Sequence, residues 1–154
     1  RTLSETDLRA LGFRAPQPPA GYTIAPNRMT SIDIPAGCPR PEGFFASYSL
    51  YWTLENGTDS IWVHINSTPG ATAGQGFSGQ FSGGMLSWTT DDGTTYSISG
   101  SSKNIVPTAP LADYVAIAKS LDPEFDITKI IEVKSDGGPG GAVPPRPVPP
   151  EPAN

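Results

Sequence analysis

A chain of 154 residues is the usual size of one domain, and its 36% hydrophobic share is diluted by 17 glycines and 18 prolines. A net charge of −5 with only 10 scattered Lys and Arg leaves no basic stripe for a phosphate backbone, so nucleic acid is excluded as an expected partner. No apolar run approaches the roughly 18 residues of a membrane span, and the single cysteine, Cys38, can build neither an internal disulfide nor a multi-thiolate metal site.

The chain opens on Arg1 rather than Met, which fits a start produced by processing. Residues 3–11 suit one or two helical turns, with Ser4 as N-cap, Asp7 three residues on and Gly12 as the stop. Residues 13–22 carry Pro16, Pro18 and Pro19, which forbid regular pairing, so this is an extended lead-in to a first strand within residues 22–34. Cys38 sits in a rigid Pro-rich loop, Pro35-Ala36-Gly37-Cys38-Pro39-Arg40-Pro41.

Residues 44–55 alternate with period two: Phe44, Ala46, Tyr48, Leu50, Trp52 and Leu54 on one face, Phe45, Ser47, Ser49, Tyr51 and Thr53 on the other. Residues 58–66 repeat the pattern, with Ile61, Val63 and Ile65 set against Trp62 and His64. The intervening Asn56-Gly57 is the preferred pair of a two-residue type I′ turn. That turn predicts Trp52 opposite Ile61, Leu50 opposite Val63, Tyr51 opposite Trp62 and Ser49 opposite His64. Residues 68–84 are rich in Gly, Ser, Thr and Ala, with Phe77 and Phe81 their only large apolar residues, and suit a flexible loop, with a short strand around residues 77–81 as the alternative. Residues 85–90 and 94–99 flank Asp91-Asp92-Gly93, a three-residue loop suited to a type I turn with a G1 bulge; Trp88 then faces Tyr96 and Leu86 faces Ile98. Residues 110–121 place Leu111, Tyr114, Val115, Ala118 and Leu121 on one helical stripe, with Thr108 as N-cap and Asp122-Pro123 as the stop. Residues 126–133 suit a short helix or a last strand.

From Asp136 the composition changes to a glycine hinge and then to Pro144-Pro145-Arg146-Pro147-Val148-Pro149-Pro150-Glu151-Pro152, a polyproline II arm. The fold class expected is α+β: a curved antiparallel β-sheet with one packed C-terminal helix and an extended proline-rich tail. The chain divides into a peripheral lead-in (1–12), a β-rich globular domain (13–135) and the Gly/Pro-rich tail (136–154).

Three motifs occur in order: Pro18-Pro19-Ala20-Gly21-Tyr22, then Leu86-Ser87-Trp88 with Asp92-Gly93-Thr94-Thr95-Tyr96-Ser97-Ile98-Ser99-Gly100, then Ala116-Ile117-Ala118-Lys119-Ser120-Leu121. In this order, over residues 13–122, the chain resembles the extracytoplasmic domain of unknown function found in bacterial anti-sigma factors and related lipoproteins. The resemblance implies a half-barrel like that of lipoprotein carriers, with a helix on a curved sheet, and it implies no catalysis. The chain departs from that pattern in showing no membrane anchor and in carrying the proline-rich tail.

His64 is the only histidine, and no Gly-x-Ser-x-Gly elbow accompanies it, so no catalytic set is expected. Asp91-Asp92-Gly93 lacks the spacing of a calcium loop. No metal ligands and no cofactor are expected. Asn56-Gly57-Thr58 and Asn66-Ser67-Thr68 match the N-glycosylation sequon. The candidate interface comprises Phe45, Tyr51, Trp62 and His64 on the outer sheet face, with Pro144, Pro145, Arg146, Pro147, Pro149 and Pro150 of the arm. The expected function is a non-enzymatic, extracytoplasmic interaction module, with protein partners or copies of itself, in a cell-surface or membrane-associated assembly. The alternative is a regulatory or ligand-sensing domain of anti-sigma type, taking a lipid or protein signal in the concave face of its sheet.

Overall fold

The computed structural model describes residues 1–32, 37–39, 47–67, 77–82, 84–102 and 110–132. Its described residues form an open eight-stranded sheet with one main helix. The strands are β1 (Thr23–Ile24), β2 (Arg28–Ile32), β3 (Ser47–Glu55), β4 (Asp59–Ser67), β5 (Ser78–Ser82), β6 (Met85–Thr89), β7 (Thr95–Ser102) and β8 (Ile130–Glu132). They lie in the order β1-β3-β4-β7-β6-β5-β8, and β2 also pairs with β3. Every pairing is antiparallel except that of β5 with β8, which is parallel. The α+β class is therefore present, with a mixed rather than purely antiparallel sheet. The proline-rich tail lies outside the described residues.

The two hairpins of the sheet differ in how their turns set the register. Between β6 and β7 the three-residue loop forms as its sequence requires. Gly93 takes a left-handed φ of 82°, Thr90 N–H donates to the Thr94 carbonyl at 2.9 Å, and Trp88 faces Tyr96. Between β3 and β4 the expected two-residue turn does not form. The Asn56 side chain takes over instead: its Oδ1 accepts from the N–H of Thr58 (3.0 Å) and of Asp59 (2.7 Å), and the Asn56 N–H donates to the Asp59 carbonyl at 3.2 Å, so residues 56–58 make the connection. The ladder shifts by two residues, so Trp52 faces Val63, Leu50 faces Ile65, Thr53 faces Trp62 and Tyr51 faces His64. A shift of two leaves every side chain on its own face, because the strand period is two.

The inner face collects Leu50, Trp52, Leu54, Ile61, Val63, Ile65, Leu86, Trp88 and Ile98, all buried. Helix α2 (Leu111–Leu121) packs Tyr114, Ile117, Ala118 and Leu121 into the same core. Leu111, expected on the buried stripe, is exposed, and Ile117 takes the place in the core. The helix begins one residue after Pro110, which is its N-cap and offers no side-chain hydrogen bond; Thr108, expected in that role, is not among the described residues. Its stop is as expected: Asp122 is the C-cap and is buried, accepting from the Trp88 indole at 3.0 Å and from Glu124 N–H at 3.0 Å. A 3-10 turn (Ile127–Lys129) then feeds β8, so both alternatives for this segment are realised in succession.

The lead-in is not peripheral. Helix α1 (Glu5–Ala10) starts on a complete capping box between Ser4 and Asp7, and it buries Leu8 while Leu3 is buried just before it. Asn27 holds this segment to the sheet: its carboxamide accepts from Leu3 N–H and donates to the Leu3 carbonyl, both at 2.8 Å. Each buried leucine contributes roughly 1.5–3 kcal/mol, which explains why an otherwise polar lead-in is retained on the core.

Candidate functional site

The outer face is built from the polar half of each strand's alternation. Cross-strand pairing sets Arg28, Tyr51, His64, Ser97, Ser87, Gln80 and Ile131 in one row from β2 to β8. A second row runs Thr53, Trp62, Ser99, Met85 and Ser82. Five of these twelve are serine or threonine, and Ile131 and Met85 are exposed apolar residues. Against that background Tyr51 is 43% exposed and Trp62 is 47% exposed.

Tyr51 and His64 are directly opposed, and their rings stack with centroids 4.3 Å apart and planes within 7°. Trp62 stands on β4 two residues from His64, diagonal to Tyr51 rather than opposite it as the two-residue turn would have placed it. Burial holds the His64 imidazole below its ordinary pKa of 6.5. Its Nε2 is buried and makes no hydrogen bond with the described residues. A groove of about 680 Å³ runs along these side chains, bordered by Arg28, Thr30, Tyr51, Thr53, Trp62 and His64. Arg28 is exposed and enters from β2, opposite Tyr51. Glu55 is exposed at the far end of the same face of β3. The one ion pair among the described residues joins Arg9 to Glu5 on α1, so neither Arg28 nor Glu55 is paired in that way.

Three candidate residues, Tyr51, Trp62 and His64, are thus brought together on one face. Phe45, Pro144, Pro145, Arg146, Pro147, Pro149 and Pro150 lie outside the described residues. Of the sequon residues, Asn56 spends its carboxamide oxygen on its own turn, and Asn66 sits within β4, accepting from the Ser49 hydroxyl at 3.2 Å. Cys38 is a free, exposed thiol. Arg28 and Glu55 were not singled out from sequence; the pairing of β2 on β3 is what brings Arg28 to the groove, and Glu55 lies beyond it at the end of β3.

No family model, curated protein or solved structure matches this chain. Among the described residues no helix is long and apolar enough to cross a membrane, and no three His, Cys, Asp or Glu side chains are grouped to hold a metal ion. The inner face, where a ligand-sensing domain would take a lipid, is packed with the protein's own Tyr114, Ile117 and Leu121. On the outer face Tyr51, Trp62, Met85 and Ile131 meet solvent.

Proposed function

We propose that this chain is a non-enzymatic, extracytoplasmic interaction module, a structural or accessory subunit of a cell-surface or membrane-associated assembly, which meets neighbouring proteins through its outer sheet face and proline-rich tail. The observation that carries this reading is the pair of half-exposed aromatic residues, Tyr51 and Trp62, close together on a face that is otherwise rich in serine and threonine, with Met85 and Ile131 its other exposed apolar side chains. Aromatic side chains are enriched where protein surfaces meet, because they bring large contact area with few rotors to freeze. The Tyr51–His64 stack adds a second flat surface of fixed orientation. Location outside the cytoplasm is supported by the resemblance of the three ordered sequence motifs to those of extracytoplasmic domains.

The test uses the full chain with Tyr51→Ser and Trp62→Ser together, expressed in the native cell and treated with a cross-linker. Both side chains lie outside the core, so the melting temperature should hold within about 4 °C. Cross-links from this chain to its neighbours should disappear. Undiminished cross-linking by the double variant overturns the proposal.

A further inference from the structure

We infer that the outer groove is occupied by the chain's own arm, residues 144–152, folded back across the sheet with its prolines against Trp62 and the Tyr51–His64 stack. This inference rests on the reading of that face as a contact surface, and it has the arm hold the face until a neighbouring protein displaces it. A polyproline II segment is recognised by aromatic side chains that stand apart on a shallow surface, because its rings fill the slots between them and its backbone has little freedom left to lose.

Reach is satisfied. The last described strand, β8, lies five neighbours away from β3 in the sheet order. At about 4.8 Å per strand that is about 24 Å. Glu132, at the end of β8, shares a row with Trp52, three residues short of Glu55 along β3, so the path from it to Glu55 is about 26 Å. Residues 133–146 include the glycine hinge Gly137-Gly138-Pro139-Gly140-Gly141. Such a stretch has a typical end-to-end distance of about 21 Å and a fully extended limit of about 46 Å. The arm's own attachment therefore holds it near the groove at an effective concentration on the order of millimolar.

Charge sets its direction. Arg28 stands opposite Tyr51, and Glu55 is four residues farther along β3 on the same face, about 14 Å away. The arm carries Arg146 and Glu151, which a polyproline II helix separates by about 15 Å. Running antiparallel to β3, the arm brings Arg146 to Glu55 and Glu151 to Arg28. The segment between them, Pro147-Val148-Pro149-Pro150, is apolar and crosses Trp62 and Tyr51. Run the other way, both ends meet like charge.

Trp62 reports the outcome, because the other two tryptophans, Trp52 and Trp88, are buried. In the full chain, acrylamide should quench Trp62 weakly. Replacing Pro144, Pro145, Pro147, Pro149 and Pro150 by serine should raise that quenching several-fold and shift the backbone amide resonances of Tyr51, His64 and Trp62. Glu151→Arg and Arg28→Glu should each raise quenching part-way, and the two together should restore the protected state. A synthetic peptide of residues 142–154 should shift the same resonances in the serine variant, and should need about tenfold more peptide to do so in the wild-type chain.

Equal Trp62 quenching in wild type and serine variant, with unmoved resonances, overturns the inference. So does protection that appears only as protein concentration rises, which places the arm on a second copy. The two proposals fail separately. If Tyr51→Ser with Trp62→Ser abolishes cross-linking while the serine variant leaves Trp62 unchanged, the face is an interface and only its occupation by the arm is refuted.

Discussion

Gly100 lies on the inner face of β7 opposite Ile61, and α2 passes directly over it. A methyl group added there overlaps the Tyr114 hydroxyl oxygen but stays 3.4 Å from Cζ of the same ring, an ordinary contact distance. The clash is thus confined to one atom. Tyr114 is buried, with Phe81 edge-on to its ring at 5.9 Å, and cannot simply swing aside. Gly100→Ala should therefore cost about 1–3 kcal/mol of overpacking, less about 0.5 kcal/mol for the better strand propensity of alanine. Tyr114→Phe alone removes the oxygen and should cost about 1 kcal/mol in lost contacts. In the double variant the new methyl fills the space the hydroxyl vacated, so stability should return to within about 1 kcal/mol of wild type. The coupling energy is then about 1–2 kcal/mol, far outside additivity. Urea unfolding followed by far-ultraviolet circular dichroism measures it, provided the m-value is shared across the four proteins. Additive losses, within about 0.5 kcal/mol, would refute the claim that this one contact sets the height of α2 over the sheet.

Trp88→Phe should cost about 2–4 kcal/mol in the same assay. It leaves a carboxylate oxygen of Asp122, which is only 8% exposed, without its indole donor and opens a void beside Phe125. Ser4→Ala should cost about 1 kcal/mol by breaking the capping box that holds Leu3 and Leu8 on the core, and limited proteolysis should then cut first near residues 9–14. His64 has a folded pKa below 6.5, so the unfolded chain binds its proton first. Stability should be level above that pH and fall as pH drops towards the lowered value, and His64→Gln should remove this slope from urea midpoints. Burial pushes Asp92 up, but hydrogen bonds from Thr90 and Thr94 outweigh it and hold the carboxyl below its usual 3.8. The stability this adds is present above that pH and lost as pH falls through the lowered value. The gap between wild type and Asp92→Ala should therefore close in acid.

Wherever backbone alternation alone decides the outcome, the sequence was transparent. The inner face of β3 and β4, the β6–β7 register and the burial of Tyr114, Ala118 and Leu121 on α2 all follow from periodicity and from a turn whose glycine position leaves one solution; the burial of Ile117 does not. The β3–β4 register did not, because Asn56 can serve a tight turn with its backbone or a wider one with its carboxamide, and composition is identical in both. The burial of the lead-in is hidden in the sequence for a related reason. Leu3 and Leu8 are too few to signal burial, and the tie that places them is a single distant residue, Asn27. Of the candidate site, the exposed aromatic trio was legible from face assignment. The stacking of Tyr51 on His64 and the arrival of Arg28 beside Tyr51 were not, since they depend on register and on the placement of β2.

The hydroxyl-rich outer face has a thermodynamic consequence of its own. Covering a surface of lysines and glutamates immobilises long side chains, at up to about 1.5–2 kcal/mol for each in lost rotamer entropy. Ser87, Ser97, Ser99 and Thr53 have little such freedom, and their hydroxyls can turn to face whatever arrives or hold a bridging water in place. This part of the protein therefore resists being covered less than an ordinary surface does. Two rigid rings suffice to tip the balance, and an occupant made largely of proline has almost no side-chain freedom to surrender in return.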